Sequence, residues 1–390
     1  MSDSKCPGDR PSWFNLFSSF LRLGITAFGG PAMVAYIRRM AVEQKHWLDE
    51  ATFRDGVALC QAIPGATAMQ TSAYVGLRSR GVRGAAASFI GFGLPAFLLM
   101  VALSALYARH HTLPAVVSAF HGLRAIIVAI VAHATVSFGR RSLKEGRDVA
   151  VAALAAILFA FRVNPILVIL LAALLGVALR ARGLNPSPAI DSTRRAPSKR
   201  PVLLLLVATG LGFLLLFLVN RDLFDLAALM SRIDLFAFGG GFASVPLMFH
   251  EIVEVRGWMD GTTFLDGIVL GQITPGPIVI TATFVGYLLR GPLGALIATI
   301  GVFLPSFLIL IGIVPHFDRL RTSSYFQNAL NGSLCSFVGL LLTVTYRFAG
   351  NVEWDGTRIL LAIAALIALL LEVDILWVVL AGTAISVAVL

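Results

Sequence analysis

Long apolar runs separated by short polar connectors make up most of this chain. The runs at 85–107, 202–219, 360–371 and 375–390 are helical in length and lack the polar alternation of a barrel strand. Because a bilayer-crossing helix needs about 20 apolar residues, the pattern predicts an all-α polytopic membrane protein with about 12–13 membrane segments.

Composition and charge agree with a membrane protein. Hydrophobic residues make up 57% of 390 positions, charged residues 13%, and the mean hydropathy is +0.85, which excludes an ordinary soluble globule. A net charge of +10 would favour nucleic acid as the partner of a soluble protein. Here the Lys and Arg residues lie in the connectors, which is the positive-inside pattern. We therefore expect a lipid bilayer as the partner, and no nucleic acid.

The chain contains one internal duplication. AFGG at 27–30 recurs at 237–240, and GVRGAAASFIGFGLP at 81–95 recurs as GPLGALIATIGVFLP at 291–305, both at an offset of 210 positions. Between these segments a series of residues matches at an offset of 211 positions. The series is Trp47, Asp49, Phe53, Asp55, Gly56, Gln61, Pro64 and Gly65, matching Trp258, Asp260, Phe264, Asp266, Gly267, Gln272, Pro275 and Gly276.

The duplication sets the predicted domain organisation. We expect a cytoplasmic tail at 1–12, a first repeat at 13–181, a basic cytoplasmic linker at 182–200, a connecting transmembrane helix at 201–219 and a second repeat at 223–390. The Arg-rich connectors near 80 and 141 and the linker are separated by two apolar spans each, which places all three in the cytoplasm. The extra helix at 201–219 then turns the second repeat over. The sequence thus predicts an inverted-topology repeat, with a site where the halves meet.

Each half interrupts its apolar segments twice. QAIPGATAMQTS at 61–72 and QITPGPIVITAT at 272–283 contain Pro-Gly, while FGGPA at 28–32 and FGGGF at 238–242 contain paired glycines. Pro and Gly here could simply kink packed helices, or the segments could be broken spans or re-entrant hairpins. A helix that starts inside the membrane exposes unpaired N–H groups and a partial positive charge, so four breaks could surround one small anion.

Matched charged residues refine this hypothesis. Arg22 and Arg232 each lie seven residues before the first glycine of a break, and a guanidinium suits an oxyanion, unless it reaches the interface or pairs structurally. Asp55 and Asp266 could carry a coupling proton or could cap a helix or pair with an arginine. The candidate substrate-binding residues are Arg22, Gly29, Gly30, Gln61, Pro64, Gly65, Thr67, Gln70, Arg232, Gly239, Gly240, Gln272, Pro275, Gly276 and Pro277.

Other kinds of chemistry have weaker support in the sequence. The three cysteines are widely spaced and the histidines lack ligand spacing, so we expect no metal and no cofactor. An intramembrane transferase would need a nucleophile with a base in reach, and no such motif occurs. A nucleotide-binding loop of the GxxxxGK[ST] kind is also absent from the sequence. We therefore predict a transporter and not an enzyme, with a homodimer left open.

Nearly the whole chain resembles the chromate ion transporter family. The resemblance is carried by FGGP at 28–31, HWLDEATFRDGVALCQAIPG at 46–65 and YVGLRSRGVRGAAASFIGFGLP at 74–95, and in the second half by FGGGFASVP at 238–246 and GWMDGTTFLDGIVLGQITPGP at 257–277. It implies a two-domain, multi-pass protein of the bacterial inner membrane that exports chromate and confers chromate resistance. Sulfate is the closest chemical alternative. The family's Pro-Gly-Pro is Pro64-Gly65-Ala66 in the first half and intact in the second.

Overall fold

The computed structural model describes residues 11–28, 32–180, 200–314 and 323–389, and these contain helices and no strand. Most of the predicted linker and tail, together with Gly29 and Gly30, lie outside the described residues. The helices are α1 (Trp13–Thr26), α2 (Ala32–Arg38), α3 (Glu50–Ala62), α4 (Thr67–His110), α5 (Pro114–Ser142), α6 (Gly146–Ala160), α7 (Pro165–Arg180), α8 (Arg200–Val219), α9 (Arg221–Phe236), α10 (Gly241–Phe249), α11 (Gly261–Ile273), α12 (Thr281–Ile313), α13 (Ser324–Gly350), α14 (Gly356–Leu370) and α15 (Ile375–Val389).

The helix order repeats, because α1 to α7 correspond to α9 to α15 and α8 is the extra element between them. Equivalent local signals start equivalent helices. Asp49 caps α3 by accepting from the Thr52 amide at 2.8 Å, and Asp260 caps α11 by accepting from the Thr263 amide at 2.8 Å. α2 and α10 each continue into a π-helical turn, at Arg39–Gln44 and His250–Val255. The predicted duplication is therefore confirmed in three dimensions.

Five of the described helices are long and apolar enough to cross a membrane. They are Thr67–His110, Val116–Ser142, Arg200–Val219, Ile278–Ile313 and Ser324–Gly350. α8 has no buried residue, as expected for a helix that faces lipid on most sides. The predicted all-α polytopic fold is confirmed.

α4 and α12 are each folded back on themselves. In α4 the backbone leaves the helical region at Arg80 and Gly81, where Gly81 has φ +66° and ψ −160°, a conformation open mainly to glycine. The two arms then run side by side, since the Ser88 hydroxyl donates to the Ser72 carbonyl at 2.7 Å. Small residues allow this contact, because a Cβ on Gly76 would lie 2.2 Å from the Gly84 carbonyl oxygen.

The Pro-Gly segments are the tips of re-entrant hairpins. Hairpin 1 is formed by α3 and the first arm of α4 (residues 50–79), and the Tyr74 hydroxyl donates to the Thr52 carbonyl at 3.2 Å across it. Hairpin 2 is formed by α11 and the first arm of α12 (residues 261–289), where Phe284 lies against Gly267. Between the broken span and the hairpin that the sequence left open, the structure has the hairpin. We call residues 63–66 tip 1 and residues 274–277 tip 2.

The two halves enter the fold from opposite sides. Arg80 donates to the Pro11 carbonyl at 2.9 Å, so α1 starts beside the Arg80 turn, and Arg147 donates to the Leu179 carbonyl at 2.8 Å, so α7 ends near the start of α6. α8 then covers 20 residues, about 30 Å of helix. Beyond it, Asp222 at the start of α9 pairs with Arg290 at 2.5 Å. The Arg80 side and the Arg290 side are therefore opposite faces, as an inverted repeat requires.

The halves are interlocked rather than merely adjacent. α5 of the first half packs against α14 and α15 of the second, while α13 of the second packs against α6 and α7 of the first. α4 also packs against α12, with the Phe89 and Phe307 rings 4.8 Å apart. One continuous buried core joins both repeats and surrounds the region where the breaks meet.

Candidate functional site

Each hairpin tip docks onto the glycine break of the other half. The Gly65 amide in tip 1 donates to the Ala237 carbonyl at 3.0 Å, and the Gly276 amide in tip 2 donates to the Ala27 carbonyl at 3.1 Å. Ala237 and Ala27 are equivalent residues that directly follow α9 and α1. The reciprocal pair of contacts places both tips and the starts of both breaks in one region between the halves.

The tip glycines are required by geometry. Gly65 has φ +113° and Gly276 has φ +118°, backbone conformations that residues other than glycine rarely adopt. A Cβ on Gly65 would lie 2.3 Å from the Ser306 Cβ, and one on Gly276 would lie 2.8 Å from the Ala96 Cβ. Any larger residue would push a tip away from the break it contacts.

A cavity of about 750 Å³ extends from the Arg80 side to this junction. Its wall includes α3 and the end of α5, and its floor includes residues of break 2 (237–240) and of tip 2. Seven predicted site residues contribute to its lining. They are Gln61, Thr67, Gly239, Gly240, Gln272, Gly276 and Pro277.

Helix starts open onto the cavity. α4 begins at Thr67 and α10 at Gly241, and the short 3₁₀ turn Ile278–Ile280 leads into α12; the first residue of each lines the cavity. Break 1 (27–30) includes residues outside the described part of the chain, but Met33 and Val34 shortly after it line the cavity as well. Unpaired amides at such starts favour an anion.

The glutamines differ in what they contact. Gln61 is exposed and lines the cavity. Gln272 lines the cavity as well, but its Nε2 atom is buried and has no hydrogen-bond partner among the described residues. Because an unsatisfied buried donor is unfavourable, Gln272 is suited to an acceptor in the cavity. Gln70 is fully buried and donates to the Pro64 carbonyl at 2.5 Å, so it braces tip 1 from behind.

The mouth of the cavity carries an excess of positive charge. Its lining includes four basic side chains and two acidic ones, namely Arg38, Arg54, Arg141, Lys144, Glu50 and Asp148. Arg38 donates to Glu43 at 2.6 Å and to Glu50 at 2.9 Å, and this guanidinium holds the pKa of the Glu50 carboxyl below its ordinary value. Our reading of the sequence missed these basic residues as site candidates, having used Arg141 and Lys144 only for topology. Arg141 and Lys144 follow hairpin 1 by two spans in the sequence, which gives no sign that they lie close to it.

The remaining predicted residues that the structure describes do not line the cavity. Pro64, Gly65 and Pro275 are buried within the tips. Arg22 is exposed on α1, and Arg232 pairs with Glu251 at 2.5 Å, beyond the lining. A direct role of these two arginines in substrate binding stays a prediction.

Asp266 is part of a buried cluster on the Arg290 side. Arg124 of α5 donates to both of its carboxylate oxygens at 2.7 Å, and the Tyr107 hydroxyl of α4 donates at 2.8 Å. Asp266 is 1% exposed, whereas its equivalent Asp55 is exposed. Asp266 is thus paired with a distant arginine, one of the alternatives that the sequence left open, and a role in proton coupling stays a prediction. We call Asp266, Arg124 and Tyr107 the latch cluster.

The equivalent wall of the second half is sealed. Leu265 and Phe249 are buried, while their counterparts in the first half, Arg54 and Arg38, line the open cavity. A second, partly buried group, in which Arg347 pairs with Glu254 and Glu254 with His250 at 2.8 Å, also lies on the Arg290 side. The described structure is thus open toward the Arg80 side and closed toward the Arg290 side.

Comparison with known proteins supports the sequence resemblance. The profile of the family described as "Chromate transporter" matches residues 14–177 and 224–387, one match for each half. An uncharacterized transporter of Methanocaldococcus jannaschii is 45% identical over 95% of this chain and 93% of its own length. Proteins named chromate transport protein are 30% identical in Pseudomonas aeruginosa, over 87% of this chain and 81% of that protein, and in Cupriavidus metallidurans, over 90% and 86%. No solved structure matches the chain.

The profile covers both halves, and the curated relatives align along nearly the whole length of the chain. The helices suited to crossing a membrane belong to the same two repeats. This multi-pass membrane protein therefore belongs to the chromate transporter family.

Proposed function

We propose that this chain is a secondary transporter of the plasma membrane that exports chromate from the cytoplasm by alternating access. The observation that carries the proposal is the cavity floor, where helix starts and the unpartnered Gln272 Nε2 meet at the junction of the two halves. Such a floor offers fixed donors to a small anion without a buried fixed charge, so the anion can also leave.

The charge of the mouth supports an anionic substrate. Four basic and two acidic side chains would raise the local concentration of a dianion and speed its entry. Chromate is a tetrahedral dianion, and two of the relatives carry chromate transport in their names. Sulfate has the same charge and shape, so it is the competitor that the experiment must include.

The direction of transport follows from orientation and potential. The Arg80 side carries the basic connectors, and the positive-inside rule assigns it to the cytoplasm. The open cavity would then receive substrate from the cytoplasm. With the cytoplasm negative, each exported negative charge gains about 2.3 kcal/mol per 100 mV, so export needs no nucleotide.

The difference between the halves supports alternating access. Equivalent walls are open in the first half and buried in the second, and exchanging the two conformations would close the Arg80 side and open the Arg290 side. The latch cluster would have to separate in that exchange. The tips and breaks would remain at the centre and hold the anion in both states.

Purified protein in liposomes, with chromate flux followed by its absorbance and sulfate added as competitor, tests the proposal. We expect chromate flux in the wild type and about tenfold weaker binding in Gln272→Leu, because a hydrogen bond to a charged ligand contributes about 1.5 kcal/mol. Gln327→Leu, on α13 away from the cavity, is the matched control. Arg22→Gln and Arg232→Gln test the predicted guanidinium contacts. Sulfate flux without chromate flux would refute the assignment of substrate.

A further inference from the structure

The contact between tip 1 and break 2 contains a carboxyl group that its counterpart lacks. Asp234 lies on α9 three residues before Ala237, and its Oδ2 accepts from the Ser306 amide at 2.7 Å. Ser306 in turn touches tip 1, since a Cβ on Gly65 would lie 2.3 Å from its Cβ. We call Asp234, Ser306, Gly65 and Gln70 the Asp234 node.

The equivalent contact in the other half is apolar. Gly24 replaces Asp234 and Ala96 replaces Ser306, and Ala96 touches Gly276 of tip 2. The same architecture therefore forms at tip 2 without a carboxyl group. A purely structural role therefore does not explain why the contact at tip 1 contains a buried carboxyl group.

Two acceptor atoms of the Asp234 node have no donor among the described residues. Asp234 and Ser306 are both fully buried, and Oδ1 of Asp234 has no hydrogen-bond partner among the described residues. Oε1 of Gln70 is likewise buried and unpartnered, and its orientation is fixed because Nε2 donates to Pro64. Two buried acceptors without a donor are unfavourable, and a proton on Oδ1 would turn one of them into a donor.

Described charged groups around the node are engaged elsewhere. Arg232 on α9 pairs with Glu251 after α10, and Asp222 pairs with Arg290 twelve residues before Asp234, about 18 Å along the helix. α8 carries no titratable side chain after Arg200, and α10 carries none up to Phe249. Cys60, near tip 1, is the buried thiol of the neighbouring apolar cluster. A carboxylate in such surroundings, with no cation beside it, is strongly disfavoured against the neutral acid.

We propose that Asp234 is a proton-binding site that takes up one proton on Oδ1 when tip 1 docks onto break 2. The carboxylate and one proton form the neutral acid, and water takes the proton back when the tip moves away. The inference rests on the proposed alternation between two states, because only a moving tip exposes Asp234 to water. Low pH then favours the docked tip, and high pH favours its release.

Modification of Cys60 by a thiol reagent reports release of the tip, because Cys60 is fully buried while tip 1 is docked. The full chain in liposomes is labelled between pH 5 and pH 7 without chromate, and modification of Cys60 is quantified by peptide mass spectrometry. Asp234→Asn is the key variant, since its amide can accept from the Ser306 amide and offers an uncharged donor, as the neutral acid would. The labelling rate of Cys60 in Asp234→Asn, measured over the same pH range, gives the pH dependence of the thiol's reactivity alone.

Relative to Asp234→Asn, we expect the wild-type labelling rate to rise by up to tenfold per pH unit, the limit for one proton. Asp222→Asn, on the same helix, should keep the wild-type slope. Equal slopes in wild type and Asp234→Asn would overturn the proposal. Infrared spectroscopy tests the same point if Asp234→Asn does not fold. We expect the wild type to show the carbonyl band of a neutral carboxylic acid at pH 7. Absence of this band would also overturn the proposal. Because labelling needs no chromate, a failure to transport chromate would leave this result readable.

Discussion

Single residues at the junction of the halves hold conformations or contacts that few substitutions preserve. Gly65 and Gly276 combine a positive φ with neighbours closer than a Cβ allows. Gln272 lines the cavity and has a buried Nε2 without a hydrogen-bond partner among the described residues, whereas Gln70 faces the inside of tip 1. Whether such a residue lines the cavity or braces the tip depends on the direction in which its side chain leaves the backbone.

Gly65→Ala should lower the thermal stability of the protein and abolish transport. The φ of +113° costs about 1–3 kcal/mol for an alanine, and the Cβ contact with Ser306 adds to it. Melting of the detergent-solubilised protein and chromate flux in liposomes measure the two effects. Gly210→Ala in α8 is the control, since its Cβ would meet no atom within 4 Å, and its stability should be unchanged or slightly raised. Full transport in Gly65→Ala would show that tip 1 does not need this backbone.

At the scale of elements, two re-entrant hairpins with the same fold have different surroundings. In hairpin 1 Arg54 and Asp55 are exposed, and Arg54 lines the cavity, while the matching residues Leu265 and Asp266 of hairpin 2 are buried. The difference lies in neighbouring helices, because Arg124 of α5 contacts hairpin 2, and the residue of α13 in the equivalent position is Leu334. Arg124 therefore pairs with hairpin 2, and the helix residue equivalent to Arg124 in the other half is uncharged.

Asp266→Asn should loosen the closed Arg290 side. Removing one partner of a buried ion pair leaves the other uncompensated and costs about 3–5 kcal/mol. In an Ile268→Cys background, where Ile268 is fully buried, we expect severalfold faster labelling by a thiol reagent once the latch cluster is broken. Asp222→Asn, which breaks the exposed pair with Arg290, should leave the labelling unchanged. Labelling of Ile268→Cys that does not respond to Asp266→Asn would limit the cluster to a structural role.

At the scale of the whole molecule, the inverted halves create one cavity from two sets of breaks. Each tip needs the carbonyl of the opposite half, and α5 and α13 cross into the opposite half as well. Neither half alone contains both a tip and the break that it contacts. Because the closed and open walls come from different halves, a rearrangement of one half against the other would change the side of access.

Export driven by membrane potential gives a measurable distribution of chromate. For a dianion at 100 mV, negative inside, the gain is about 4.6 kcal/mol, which corresponds to an outside-to-inside ratio on the order of 10³ if no other ion is coupled. Liposomes with a potassium gradient and valinomycin set the potential, and chromate in the two compartments is measured at equilibrium. At zero potential the ratio should be one. A ratio that ignores the potential would indicate electroneutral exchange.

Much of the architecture could be predicted from the sequence because it depends on local and periodic signals. Apolar runs of helical length predicted the membrane segments, and matched Trp, Asp and Pro-Gly positions predicted the duplication. The interruptions at Pro64-Gly65 and at Gly239-Gly240 were also predicted, since adjacent Pro and Gly residues disfavour a continuous helix. The charge of the connectors predicted the inversion of the second half.

Contacts between distant segments were decided only by the tertiary structure. The sequence paired Arg22 with Arg232 and Asp55 with Asp266 by their equal positions, but Arg232 binds Glu251 and Asp266 binds Arg124, whose repeat counterparts are not charged. Asp234 gave no signal, because a carboxyl in an amphipathic stretch looks exposed until its neighbours bury it. The sequence determined by itself where the helices start and stop, because those choices depend on nearby residues. Which side chains face the cavity, which are sealed and which lack a partner depended on the packing of two halves, and packing is set by residues far apart in the chain.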